Sequence, residues 1–69
     1  MIRRYFLQEL RYQSGYFARK VAKDMGYSRT TLYRKEAGKT LLRNNEVVKF
    51  AKYYGVDPEE IKKHYKVAK

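Results

Sequence analysis

Four glycines, at positions 15, 26, 38 and 55, and a single proline, Pro58, cut this chain into pieces of the length of short helices. Glycine directly after an apolar repeat is a helix stop, because it takes up the left-handed C-cap backbone without a side-chain penalty. Between these stops apolar residues recur at three- and four-residue intervals, which is helical spacing. Over residues 2–14, Leu7, Leu10, Arg11 and Ser14 share a face, with Phe6 beside them. Over residues 17–25, Val21, Ala22 and Met25 form one stripe, with Arg19, Lys20 and Lys23 opposite. After a loop, Val47, Phe50, Ala51 and Tyr54 form the strongest amphipathic stripe in the chain, which Asn44 or Asn45 is expected to cap. Asp57, Pro58, Glu59 and Glu60 open a fifth helix as N-cap, first helical residue and acidic first turn, with Asp57 and Glu60 at capping-box spacing. Ile61 and Tyr65 give it an apolar edge, and residues 66–69 are expected to fray. Five short helices and no strand predict one all-α domain over residues 1–69.

The third segment differs from the rest. Ser28 caps it, Gly38 follows it, and Leu32 is its one clear apolar anchor. Arg29, Thr30, Tyr33 and Arg34 form a basic face rich in hydrogen-bonding groups. A helix with so little to bury is expected to serve a partner. With the second segment and the tight turn at Gly26 and Tyr27 it forms a candidate helix-turn-helix.

Charge names the class of partner. Among 69 residues, 17 Lys and Arg stand against 7 Asp and Glu, a formal charge of +10, which points to a polyanion, nucleic acid before an anionic membrane. There is no cysteine and the one histidine is His64, so neither a disulfide framework nor a zinc site is expected, and no metal or other cofactor. Catalysis is not expected either, since no nucleophile–base set and no glycine-rich phosphate loop is present. No stretch approaches the roughly 20 apolar residues of a membrane span, and Glu9 and Arg11 interrupt the N-terminus too early for a secretory leader. A cytoplasmic protein is expected, with no membrane and no small-molecule ligand among its partners.

The run from Val21 to Lys39, VAKDMGYSRTTLYRKEAGK, resembles the phage Cro/repressor-type (XRE-like) helix-turn-helix, and residues 50–61, FAKYYGVDPEEI, are similar to that family's fourth helix and the start of its fifth. The resemblance spans about residues 7–61. It implies a compact five-helix lambda-repressor-like fold with the third helix as the recognition helix. It also implies base contacts from Arg29, Thr30, Tyr33 and Arg34. Phosphate contacts would come from Ala18, Arg19 and Lys20 at the start of the second helix and from Lys39, Thr40 and Arg43 in the loop after the third. The family often pairs an arginine ending helix one with a glutamate ending helix three, here Arg11 and Glu36. The residues agree, because an arginine on a core-facing stripe wants a carboxylate. The chain departs from the family at Phe17 and Ala18, where a polar cap and a glutamine are usual. Lys35 replaces a usually apolar residue, so looser anchoring of helix three is expected, and Leu41 and Leu42 are expected to be exposed.

The function implied is a sequence-specific duplex DNA-binding transcription regulator, a repressor or Cro-like switch of a phage, mobile element or bacterium, associated with the nucleoid. A reader this small touches about four or five base pairs, so a homodimer on a pseudopalindromic operator is expected, with Leu41, Leu42, Ile61, Tyr65 and Val67 as its candidate surface. The same apolar edge would serve a protein-interaction module such as an antitoxin or co-regulator. The tyrosines would serve a single-strand or RNA binder.

Overall fold

The computed structural model describes residues 5–68; Ile2, where the first helix is expected to begin, and Lys69 lie outside the described residues. Five helices follow in order: α1 (Phe6–Ser14), α2 (Ala18–Met25), α3 (Arg29–Glu36), α4 (Asn44–Tyr54) and α5 (Pro58–His64). Two short strands join them, β1 (Leu42–Arg43) before α4 and β2 (Val67–Ala68) after α5.

The α2–α3 turn is set by local chemistry. Gly26 takes φ 80°, where a β-carbon is strained. Tyr27 N–H then donates to Ala22 O at 2.7 Å, which closes the end of α2. At the next residue, Ser28 Oγ accepts from Thr31 N–H at 3.1 Å and starts α3. At the other end of the chain, Asp57 Oδ1 accepts from Glu59 N–H at 2.9 Å and Pro58 opens α5. Neither half of the expected capping box is made: the Asp57 side chain takes the Glu59 amide rather than that of Glu60, and the Glu60 side chain pairs with Lys63.

Leu7, Val21, Leu32, Leu42, Val47, Phe50 and Ile61 are fully buried, so every helix contributes to one core. Each such side chain stabilises the fold by about 1.5–3 kcal/mol relative to exposure. Inside this core sit Arg11, 5% exposed, and Glu36, 2% exposed. Arg11 Nε donates to Glu36 Oε2 at 2.9 Å and Nη2 to Oε1 at 3.4 Å. Burial works against the guanidinium charge, but the Glu36 carboxylate outweighs it and holds the Arg11 pKa above its ordinary value. Beside the pair, the Tyr65 hydroxyl donates to Glu36 O at 2.7 Å and accepts from the Leu7 N–H at 3.0 Å. Burial pushes that hydroxyl up to about 12. Leu7 lies in the first turn of α1, where amides have no partner within the helix. Tyr65→Phe strands that amide and the Glu36 carbonyl together. It is expected to cost about 1–3 kcal/mol, and an unchanged urea midpoint would refute this role.

Several expectations are corrected. Leu42 pairs with Val67 and Arg43 with Ala68 in parallel register, and Leu42 N–H donates to Lys66 O at 3.3 Å, so residues 66–68 form a fastened end rather than a frayed tail. Leu42, Ile61 and Tyr65 are core residues, not a free surface; of the five candidate dimer residues only Leu41 is exposed, and Val67 is half-buried. The α4 N-cap is Arg43, not an asparagine. An arginine side chain accepts no hydrogen bond, so the cap works from the other side: Glu46 Oε1 accepts from the Arg43 N–H at 2.9 Å.

Lys35 is the largest correction. It is buried, and its Nζ lies 2.9 Å from Glu46 Oε2 and 5.3 Å from the Tyr27 ring centre. The Tyr27 hydroxyl donates to the same carboxylate. Burial alone would raise the Glu46 pKa, but Tyr27, the Arg43 amide and Lys35 together hold it below the usual range. Lys35 therefore ties α3 to α4 where the apolar count predicts looseness.

Candidate nucleic-acid interface

The residues of α3 divide by spacing. Leu32, Lys35 and Glu36 point inward and are buried. Arg29, Thr30, Tyr33 and Arg34, at i, i+1, i+4 and i+5, are exposed along the opposite stripe, Tyr33 at 49%. Thr31 is half-buried, and its hydroxyl accepts from Ser28 Oγ at 2.9 Å in the cap. Three inward contacts thus hold a short helix, one apolar and two ionic: the Leu32 side chain in the core, the Lys35–Glu46 pair and the Glu36–Arg11 pair.

An open cleft runs between the start of α2 and the start of α3, lined by Phe17, Arg19, Lys20, Lys23, Arg29 and Tyr33 among others. Phe17 supplies no side-chain cap to α2, whose first backbone donation is Lys20 N–H to Phe17 O at 3.1 Å. The helix start therefore presents its leading amides as a place for an anion. Arg19 is exposed there, whereas Ala18 is buried and brings no side-chain contact. Lys20 is engaged: its Nζ lies 2.9 Å from Asp24 Oδ2, which also accepts from the Tyr53 hydroxyl at 2.5 Å. The Tyr53 hydroxyl first, and Lys20 second, hold the Asp24 carboxyl below its ordinary value. An exposed pair of this kind is weak, so Lys20 can exchange Asp24 for another anion.

On the other side of α3 a second hollow joins Thr30, Tyr33, Arg34 and Lys39 with Tyr5 and Gln8. Lys39 is fixed there by its N–H, which donates to Arg34 O at 3.0 Å. Thr40 and Arg43 are exposed as well. Arg43 faces a separate hollow, beside Asn45, Glu46 and Lys49. The structure therefore brings Arg29, Thr30, Tyr33, Arg34, Arg19, Lys20 and Lys39 together around one helix and sets Arg43 apart. Lys23 and Tyr5 line the same surface, and neither is a candidate on sequence grounds. Lys23 carries a signal that could have found it, four residues after Arg19 on the same helix face; Tyr5 precedes the first helix and carries none.

The acids explain why this face stays positive. Glu36 and Glu46 are buried or half-buried against Arg11 and Lys35, Asp57 is a cap, Glu59 and Glu60 pair with Lys62 and Lys63, and Glu9 accepts from Gln13. Of the acids among the described residues only Asp24 enters the cleft, and there it faces Lys20. Among the described residues no helix is long and apolar enough to cross a membrane, and no group of acidic, histidine or cysteine side chains is placed to hold a metal ion.

The profile of a protein family described as a helix-turn-helix domain matches residues 5–63. No curated protein and no solved structure gives a significant match.

Proposed function

Because the chain belongs to this helix-turn-helix domain family, whose members bind DNA, we propose that it is a sequence-specific regulator of the Cro/repressor type that reads duplex DNA with α3 in the major groove. One observation carries the proposal: α3 buries Leu32, Lys35 and Glu36 and leaves Arg29, Thr30, Tyr33 and Arg34 outside on one stripe. Arginine forks onto guanine O6 and N7, threonine bonds to several base edges or packs its methyl on thymine, and tyrosine reaches a phosphate or a thymine methyl. Arg19, Lys20, Lys39, Thr40 and Arg43, with the leading amides of α2 around Ala18, serve as phosphate contacts that set the docking angle. The whole chain acts as one domain in the cytoplasm of a bacterial or phage-infected cell. Two copies occupy a pseudopalindromic operator, held there mainly by the DNA, since Leu41 is the one exposed residue left of the expected dimer edge.

Selection from random duplex DNA, followed by affinity measurements at several salt concentrations, tests the proposal. Four cationic phosphate contacts in each copy give a slope of log K against log salt of about −3 to −4 per bound copy, or on the order of a hundredfold loss per copy between about 50 and 200 mM salt. A flat salt response, or equal competition by single-stranded DNA or RNA, contradicts it.

A further inference from the structure

Phe17 is poorly placed if folding alone is considered. It occupies the N-cap of α2, where a serine, threonine or aspartate would accept a bond from the helix amides, and it makes no such bond. The residue is 83% exposed, the most of any large apolar residue described. The other two phenylalanines are used: Phe50 is fully buried, and Phe6 stacks on His64 with ring centres 4.2 Å apart. A position that gives up both a cap and the burial of a ring breaks local rules in the way functional positions do.

Its surroundings limit what can cover it. The ring shares the cleft with Arg19, Lys20, Lys23 and Arg29, and with Tyr33 on α3. An apolar protein face or a lipid chain set over it would strand Arg19, Lys23 and Arg29, since Asp24, the one carboxylate of the cleft, faces Lys20. A ligand that suits the cleft has to present an apolar group inside an anionic frame. Duplex DNA does so at one chemical group, the 5-methyl of thymine in the major groove, between rows of phosphates. We infer that Phe17 is a specificity-determining residue whose ring packs on a thymine methyl at the end of the site nearest the start of α3. The inference rests on the proposal that this face enters duplex DNA and adds a reader that lies outside the recognition helix.

The test uses the full chain and the duplex recovered by selection with it. Each thymine is replaced in turn by deoxyuridine, which removes only the methyl, and affinities are measured for the wild-type chain, Phe17→Ala and Phe17→Ser. At one thymine per bound copy, methyl removal is expected to weaken wild-type binding by about fourfold, the value of one buried methyl group. At that position it is expected to leave Phe17→Ala unaffected. Phe17→Ser is expected to lose the same preference while raising Tm by about 4–8 °C, because serine restores the cap. Circular dichroism checks that both variants fold, as substitution at so exposed a site should allow. If Phe17→Ala weakens every duplex equally, or if no thymine couples to residue 17, the inference is overturned and the functional proposal stands. If the wild-type chain binds no duplex at all, the functional proposal itself fails.

Discussion

Replacing Glu36 with alanine is expected to cost about 3–5 kcal/mol of folding stability, the loss that follows when one member of a buried ion pair is removed and its partner stays behind. The partner is Arg11, 5% exposed, whose Nε lies 2.9 Å from Glu36 Oε2. A chain of this length has a total stability of roughly 3–10 kcal/mol, so the variant sits near the edge of unfolding. Losing the pair also releases the C-terminal end of α3, leaving Leu32 and the Lys35–Glu46 pair to hold the helix. The double replacement Arg11→Met with Glu36→Leu removes both charges at once. It is expected to match the wild-type chain or to exceed it by about 1–4 kcal/mol. Urea titrations of the single and double variants measure both values. A loss below about 1 kcal/mol for Glu36→Ala would mean that the pair is solvated in solution and that α3 is held by other contacts.

The second large effect is on binding. Arg29→Ala together with Arg34→Ala is expected to weaken binding to the selected duplex by roughly 2–6 kcal/mol per bound copy, from two base contacts worth about 1–3 kcal/mol each. Binding to unrelated duplexes should fall far less. Both side chains are exposed, so the melting temperature should barely move, as for surface substitutions generally. Lys39→Ala is the contrast: removing a phosphate-binding cation lowers affinity by the same factor on every sequence and reduces the salt slope by about one unit per bound copy. If the double variant also weakens all sequences equally, the two arginines touch only phosphates and sequence is read elsewhere.

Much of the fold is legible in the sequence because its signals are local. Gly26 and Ser28 lie within three residues of the turn they shape, and Val47, Phe50, Ala51 and Tyr54 repeat at helical spacing within a single helix. What is not legible depends on partners far along the chain. The Leu42–Val67 and Arg43–Ala68 pairing joins two residues on each side, separated by 25 positions, too little pattern for a strand to register. That one pairing turns an expected tail into a fastened end and takes Leu42 out of the expected surface.

The supports of the site follow the same division. The outer stripe of α3 can be laid out by counting residues. Its inner contact at Lys35 cannot, since a lysine counts as surface until a carboxylate from the next helix, Glu46, is placed against it. The same carboxylate caps α4 through a backbone amide, so a search for polar cap residues looks one residue too far along, at Asn44. Charge and periodicity disclose which face is offered; the pairs that hold it in place come from tertiary contacts.

Whether α3 enters the major groove is decided by titrating the isotopically labelled chain with the selected duplex and following its backbone and arginine side-chain resonances. Intermolecular contacts from Arg29, Thr30, Tyr33 and Arg34 to major-groove protons are expected, with further shifts at the start of α2 and at Lys39. Contacts confined to the outer surface of α4 and α5, with the α3 arginines unmoved at saturation, would rule that docking out.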